Sequence, residues 1–217
     1  MFISHKYRFI FVRTEKTAGT SLSIALMNAL TEGSEFPPLK RPAWARYSPI
    51  HHGALTRNLP TLFGLHPHAT ARQSRAVVGR AVFDGYFKFA IERNPWDRQV
   101  SLYYQRKRKK PGAVPNFDRD MRNPLFRMTE YVRMDNWGIY AEGERIIVDR
   151  VLRYEELDET LPALFSELGV TEKIALPRAR SGHRDEGRHY RDEYSPATRD
   201  LVARWYRREI EAFGYAF

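Results

Sequence analysis

Short aromatic and β-branched runs alternate along this chain with stretches whose apolar residues recur at helical spacing. The run Tyr7-Arg8-Phe9-Ile10-Phe11-Val12 suits a buried strand, expected over 7–13. Leu22, Ile24, Ala25, Leu26, Ala29 and Leu30 follow at the spacing of a helix over 20–30. Further elements are a helix from about Ala69 to Val78, a strand over 86–92 and a helix opening at Pro95. Residues 111–123, rich in Pro, Gly and Asn, are expected to form a mobile loop. Helix-compatible sequence returns from Pro124 to about Met134. The stretch from Arg145 to Tyr154 contains another strand, and a helix from about Leu157 to Leu168 stops at Gly169. Ser195-Pro196 caps a last helix whose buried face is Leu201, Val202, Trp205, Tyr206, Ile210 and Phe213. Strands alternating with helices imply a parallel sheet covered on both faces, with ligands at the C-terminal ends of the strands.

Between the first strand and the first helix lies Arg13-Thr14-Glu15-Lys16-Thr17-Ala18-Gly19-Thr20-Ser21. A loop that opens a helix leaves the amides of Gly19, Thr20 and Ser21 without intrahelical partners. The helix dipole adds partial positive charge there, so the place suits an anion. Lys16 contributes a point charge, Thr20 or Ser21 a hydroxyl donor, and Gly19 permits close backbone approach. The expected anion is a phosphate or a group of that shape. This is not a Walker A loop, in which Lys follows the second glycine; here Lys16 precedes Gly19 by three positions. Taken alone, Gly-Thr-Ser after a strand serves equally as a helix cap.

The strand over 86–92 runs into Arg93-Asn94-Pro95-Trp96-Asp97-Arg98-Gln99-Val100-Ser101. Asn94 suits the cap of a helix whose first residue is Pro95, and Asp97 at the third helical position reinforces that start. Arg93 then sits at the end of the strand and Ser101 about two turns along the helix. A guanidinium and a hydroxyl so placed can close on one phosphate from two sides. The bland alternative is a capped helix with Arg93 in a surface ion pair.

The order Lys-Thr-Ala-Gly-Thr-Ser resembles the 5′-phosphosulfate loop of sulfotransferases that use 3′-phosphoadenosine 5′-phosphosulfate (PAPS). Arg93 and Ser101, eight residues apart, resemble the 3′-phosphate motif of the same family. The stretches His68-Ala69-Thr70-Ala71-Arg72, Arg153-Tyr154-Glu155-Glu156-Leu157 and Phe213-Gly214-Tyr215-Ala216-Phe217 are similar to the carbohydrate-type members, which include heparan sulfate 2-O-sulfotransferase and small bacterial relatives. Residues 31–60 and 106–120 lack such a counterpart.

The resemblance implies an α/β, P-loop-like three-layer sandwich with a central mostly parallel sheet flanked by helices, and one sulfotransferase domain over 1–217. It implies transfer of a sulfuryl group from PAPS to a hydroxyl, with a carbohydrate as the expected acceptor, by in-line displacement. Such a reaction rests on positioning and electrostatics and by necessity requires no metal. Lys16 is the cation that meets charge on the leaving phosphate. His68 precedes the 3′-phosphate strand as the family's catalytic histidine does, and imidazole titrates near neutrality, which makes it the leading base. His66 and His52 are its rivals. The cofactor residues are Lys16, Thr17, Ala18, Gly19, Thr20, Ser21, Arg93 and Ser101. The family's loop before the last helix adds candidates among Arg178, Arg180, Ser181 and Arg184, of which Arg180 and Ser181 are taken as the contacts.

Composition bounds the remaining choices. At 217 residues the chain is most economically one domain. It has no apolar run of 18 residues and no leader pattern, so no stable membrane insertion is expected. Without cysteine there are no disulfides, thiolate nucleophiles or Cys-based metal sites, which suits a reducing cytosol; set beside the Golgi members of the resembling family, with their membrane anchor and frequent disulfides, this implies a bacterial-type cytoplasmic enzyme. Thirty-six Lys and Arg against 26 Asp and Glu give a charge of +10, which favours an anionic cofactor or an acidic acceptor. No nucleic-acid module accompanies it. The run Arg106-Lys107-Arg108-Lys109-Lys110 reads equally as the solvated end of a helix or as a hold on an acidic acceptor. Two alternatives stay open: a nucleoside or sugar kinase, which would need a Walker-type lysine and a magnesium-binding carboxylate, and a non-catalytic polyanion-binding protein, which needs only the charge.

Overall fold

The computed structural model describes residues 1–35, 68–107, 115–130, 132–175 and 189–217. In chain order its elements are β1 (Phe2–Ser4), β2 (Phe9–Phe11), α1 (Gly19–Ala29), β3 (Ser34–Glu35), α2 (Ala71–Val78), α3 (Arg80–Gly85) and β4 (Phe87–Glu92). Then come α4 (Pro95–Lys107), α5 (Phe117–Arg122), α6 (Pro124–Thr129), α7 (Trp137–Tyr140), β5 (Ala141–Glu142), β6 (Arg145–Ile146) and β7 (Arg150–Arg153). A 3-10 turn (Tyr154–Glu156) leads into α8 (Leu157–Glu167), and a second (Tyr190–Glu193) precedes α9 (Pro196–Trp205) and α10 (Arg207–Phe213). The chain divides into two compact units: Met1–Glu92 with Asp135–Pro177, and Arg93–Met134 with Arg178–Phe217.

The first unit is mixed α/β around a five-stranded sheet of order β3-β1-β2-β4-β7. β2, β4 and β7 are parallel, with Phe11 opposite Phe89 and Ile91 opposite Leu152. The strand expected over 7–13 is confined to Phe9–Phe11, because Tyr7 and Arg8 turn a hairpin in which Arg8 has φ 53°. Its other arm is β1, antiparallel to β2, and β3 adds a further antiparallel pairing. The sheet is therefore mixed: β2, β4 and β7 make up the parallel part that alternating strands and helices imply, and β1 and β3 are its antiparallel remainder, in keeping with a mostly parallel sheet. A hairpin needs only a few connecting residues, whereas a parallel crossover needs a dozen or more.

Phe9, Phe11, Phe89 and Ile91 cluster with Leu22 and Leu26 of α1 and with Leu161, Leu164 and Phe165 of α8. Ile10 and Ala90, which alternate to the opposite face, are equally inaccessible. Both faces of these central strands are thus covered, which suits the apolar runs Phe9–Phe11 and 89–91, although Lys88 and Glu92 of β4 are buried as well. On α1 the inward face is Leu22, Ala25 and Leu26, while Ile24 is left 44% exposed.

Among its described residues the second unit contains helices and no strand. Trp96, Val100, Tyr103, Phe117, Met121, Val202 and Tyr206 form its core. Within the stretch 111–123, expected as a loop, Asn116 Oδ1 accepts from the Arg119 N–H at 2.9 Å and starts α5, whose Phe117 and Met121 are one turn apart and buried. Residues 111–114 lie outside the described ones. The helix expected from Pro124 ends at Thr129. The single last helix is two, parted at Tyr206, whose ring turns inward: its hydroxyl donates to Gln99 Oε1 and accepts from the Met134 N–H, both at 3.0 Å. Of the six positions expected on its buried face, Val202 and Tyr206 are fully covered and the others only partly. Arg98 lies buried against this turn, its guanidinium 4.5 Å from the Tyr206 ring and 3.3 Å from Glu209. Among the described residues no helix is long and apolar enough to cross a membrane.

Candidate functional site

The loop between β2 and α1 is anchored to the sheet by side chains. Val12 N–H bonds the Phe89 carbonyl at 2.8 Å, continuing the parallel pairing by one residue. Thr14 Oγ1 donates to the Ile91 carbonyl and lies 2.7 Å from Thr17 Oγ1, so both buried threonines face inward. Lys16 and Ala18 adopt left-handed backbone, with φ of 62° and 60°. Each costs about 1–2 kcal/mol for a residue with a Cβ, so the turn is held by its surroundings.

Ala18 stands at the N-cap of α1 and has no side chain with which to cap it. The first helical bond is Leu22 N–H to the Ala18 carbonyl at 3.0 Å, which leaves the amides of Gly19, Thr20 and Ser21 at the helix end. No acidic residue lies in this first turn. Arg13 Nη2 reaches back to Thr20 Oγ1 at 2.6 Å. A Cβ on Gly19 would come 2.7 Å from Arg13 Cγ, so glycine here also makes room for the arginine. Lys16, Thr17, Ala18, Gly19, Thr20 and Ser21 are thus consecutive members of one turn, with the Thr17 hydroxyl committed to Thr14.

His68 is brought to the start of the same loop: its Nδ1 lies 3.1 Å from the Arg13 carbonyl. A carbonyl only accepts, so Nδ1 carries the proton in this bond, and in the neutral ring the lone pair is left on Nε2. The ring is placed by α2, which opens two residues later with Thr70 as its cap. The Gln73 N–H donates to Thr70 Oγ1 at 3.3 Å, and Gln73 Oε1 accepts from the Thr70 N–H at 2.9 Å. His52 and His66 lie outside the described residues.

In the second unit Asn94 Oδ1 accepts from the Trp96 N–H at 3.1 Å and starts α4 as the sequence implies. Arg93 turns its guanidinium onto Asp97, with Nε and Nη2 at 2.7 and 2.5 Å from Oδ2. The pair is mostly buried, at 15% and 16% side-chain exposure, and so differs from a loose surface bridge. Ser101 is half-buried on α4. Arg178, Arg180, Ser181 and Arg184 lie outside the described residues.

The profile of the sulfotransferase family matches residues 1–216. The chain belongs to the sulfotransferase family. It is also similar to an uncharacterized protein of Archaeoglobus fulgidus, 34% identical over 106 residues that make up 45% of this chain and 79% of that protein. Membership of the family supports sulfuryl transfer in general. Among the described residues no cluster of three or more His, Asp or Glu side chains is arranged to hold a metal ion.

Two features of the sulfotransferase loop escape a reading of motifs. Arg13 carries both the carbonyl that orients His68 and the guanidinium that holds Thr20. Asn136, 121 positions from Glu15, bonds both backbone groups of that residue. Nothing in the local spacing around Asn136 announces this; only the fold brings it there.

Proposed function

We propose that this sulfotransferase moves a sulfuryl group from PAPS to a hydroxyl of a carbohydrate acceptor, with His68 as general base and Lys16 as the cation beside the leaving phosphate. The observation that carries the reading is the bond from His68 Nδ1 to the Arg13 carbonyl, 3.1 Å long. A neutral ring held by that bond carries its lone pair on Nε2, the atom to which the reading assigns the acceptor proton, and the bond places the ring beside Arg13 of the loop.

PAPS, when bound, supplies the sulfuryl group and a phosphate as its leaving group. The donor set fits such a group: the amides of Gly19, Thr20 and Ser21, the Thr20 and Ser21 hydroxyls and Lys16 are all cationic or hydrogen-bond donors. Arg93 and Ser101 are assigned to the 3′-phosphate on their spacing in the sequence, and Arg180 and Ser181 to the nucleotide on the resemblance. The Arg93–Asp97 pair orients the guanidinium, which a phosphate dianion could share with Asp97. We read the chain as one P-loop-like three-layer domain over 1–217 that works in a bacterial cytoplasm.

Calorimetry with 3′-phosphoadenosine 5′-phosphate (PAP) tests this. Binding without magnesium, and tighter than that of 5′-AMP, supports the reading. A preference for ATP with magnesium would point to a kinase, and equal affinity for PAP and 5′-AMP to a merely basic surface. Screening glycans with labelled PAPS then identifies the acceptor.

A further inference from the structure

The turn that presents Lys16 is held by a side chain outside every motif. Asn136, fully buried just ahead of α7, faces Glu15: its Oδ1 accepts from the Glu15 N–H at 2.9 Å, and its Nδ2 donates to the Glu15 carbonyl at 3.0 Å. One amide thus satisfies both backbone groups of one residue, as a neighbouring strand would. The same Nδ2 lies 3.3 Å from Glu92 Oε1, and Glu92 Oε2 accepts from the Tyr140 hydroxyl at 3.0 Å. Glu92, Asn136 and Tyr140 are all inaccessible to solvent. Their bonds leave the Asn136 amide one orientation, since turning it over would set its NH2 against an N–H and its oxygen against a carbonyl and a carboxylate.

Lys16, the next residue after Glu15, is left-handed, and so is Ala18. Backbone of that kind persists only where its surroundings over-determine it. A fixed Glu15 peptide sets the direction from which the chain enters the turn, and therefore where the Lys16 side chain and the α1 amides end up. We propose that Asn136 is the positioning residue of the anion loop: it holds Glu15 by both backbone groups, Glu92 and Tyr140 hold its amide, and the loop is thereby set before any ligand arrives. The ligand named in the test rests on the PAPS reading; the geometry does not.

Asn136→Asp keeps the size and the acceptor for the Glu15 N–H, but removes both donations and sets a second carboxylate beside Glu92. Tyr140→Phe deletes one hydroxyl at the far end of the chain of contacts and leaves the packing intact. Two measurements on the full chain decide the matter: hydrogen exchange of peptides covering 13–21 in the ligand-free protein, and calorimetry with PAP. In folded Asn136→Asp, loop exchange should speed up at least about tenfold and PAP affinity should fall about 10- to 100-fold, while exchange in α9 stays at the wild-type rate. Tyr140→Phe should move both readouts the same way, by about 3-fold. A merely structural role would lower the folded fraction yet leave loop exchange and PAP affinity of the folded molecules unchanged, and that result overturns the proposal. Should Asn136→Asp not fold, Tyr140→Phe and Glu92→Gln carry the same comparison. Should the wild type not bind PAP, the ligand reading falls while loop exchange still decides on Asn136.

Discussion

Lys107 sets its ammonium 2.7 Å from Asp120 Oδ2 and lies over the rings of Tyr103 and Phe126, 5.5 and 5.0 Å from their centroids. Only 15% of its side chain is exposed. One member of the basic run is therefore committed to the core of its own unit. Asp120 receives the Tyr103 hydroxyl as well, at 2.8 Å.

Lys107→Gln should accordingly act on stability. Removing one partner of a mostly buried pair is expected to cost about 1–2 kcal/mol, read from the denaturation midpoint, with the acceptor KM within about twofold of wild type. Burial pushes the Asp120 carboxyl up, but bonds from Lys107, Tyr103 and Arg119 outweigh it and hold the pKa below the ordinary value. A depressed carboxylate contributes stability above its unfolded pKa that is lost as the pH falls through the folded one. The variant should therefore lose less stability than wild type on acidification below about pH 4. A raised acceptor KM at unchanged stability would return Lys107 to the substrate side.

Arg93→Ala is expected to weaken PAPS binding by about 2–4 kcal/mol and to leave adenosine 5′-phosphosulfate nearly unaffected, because only PAPS carries the 3′-phosphate. Competition binding with the two nucleotides measures the difference. Equal loss for both would show that Arg93 serves the fold through Asp97 and does not read the phosphate.

His68→Ala should lower kcat by about 10²- to 10⁴-fold, with PAP affinity within about 1 kcal/mol of wild type. Lys16→Ala should also cut kcat, because it removes the cation placed beside the leaving phosphate. Near-normal turnover in His68→Ala, with activity lost in His66→Ala or His52→Ala, would move the base elsewhere.

Tyr206 supplies an alkaline test of the helical unit. Burial pushes its hydroxyl up to about 12. A phenol whose folded pKa is raised contributes stability that is complete below its unfolded value near 10 and declines as the pH climbs toward 12. Tyr206→Phe should flatten that decline. It should also cost about 1–3 kcal/mol at neutral pH, because the Met134 N–H and Gln99 Oε1 lose their partner. Denaturation between pH 8 and 11 gives both numbers, and an unchanged alkaline slope would refute the assignment.

The elements that bury a regular face were legible in the chain. α1, β4 and α8 lie within two residues of the ranges expected for them, because spacing and burial report the same geometry, and α4 opens at Pro95 as its cap signals imply. The turn signals of Asn94-Pro95 and Ser195-Pro196 were legible too, since a cap is local chemistry. The hairpin arm β1 was not: three residues make too short a run to show a period, and their pairing with Phe9–Phe11 is decided by the turn at Arg8. Nor was the break at Tyr206, where bonds to Gln99 and Met134, distant in sequence, override a continuous helical pattern. At the candidate site Lys16 and Gly19–Ser21 are the donors that one motif proposes, and the structure places Gly19–Ser21 at the start of α1 as that motif expects. Arg13 and Asn136 act through contacts that only the folded chain creates.

α1 begins with a methyl group where most helices place a hydroxyl or carboxylate. Such a cap is worth about 1 kcal/mol, and this helix is left to obtain it from whatever anion settles on its end. Occupancy and persistence then become one linked equilibrium: a ligand at a hundred times its dissociation constant adds about 2.7 kcal/mol to the stability of the folded chain. If an anionic ligand binds this helix end as proposed, the same linkage would lower the fraction of molecules open to proteolysis as the ligand's concentration rises.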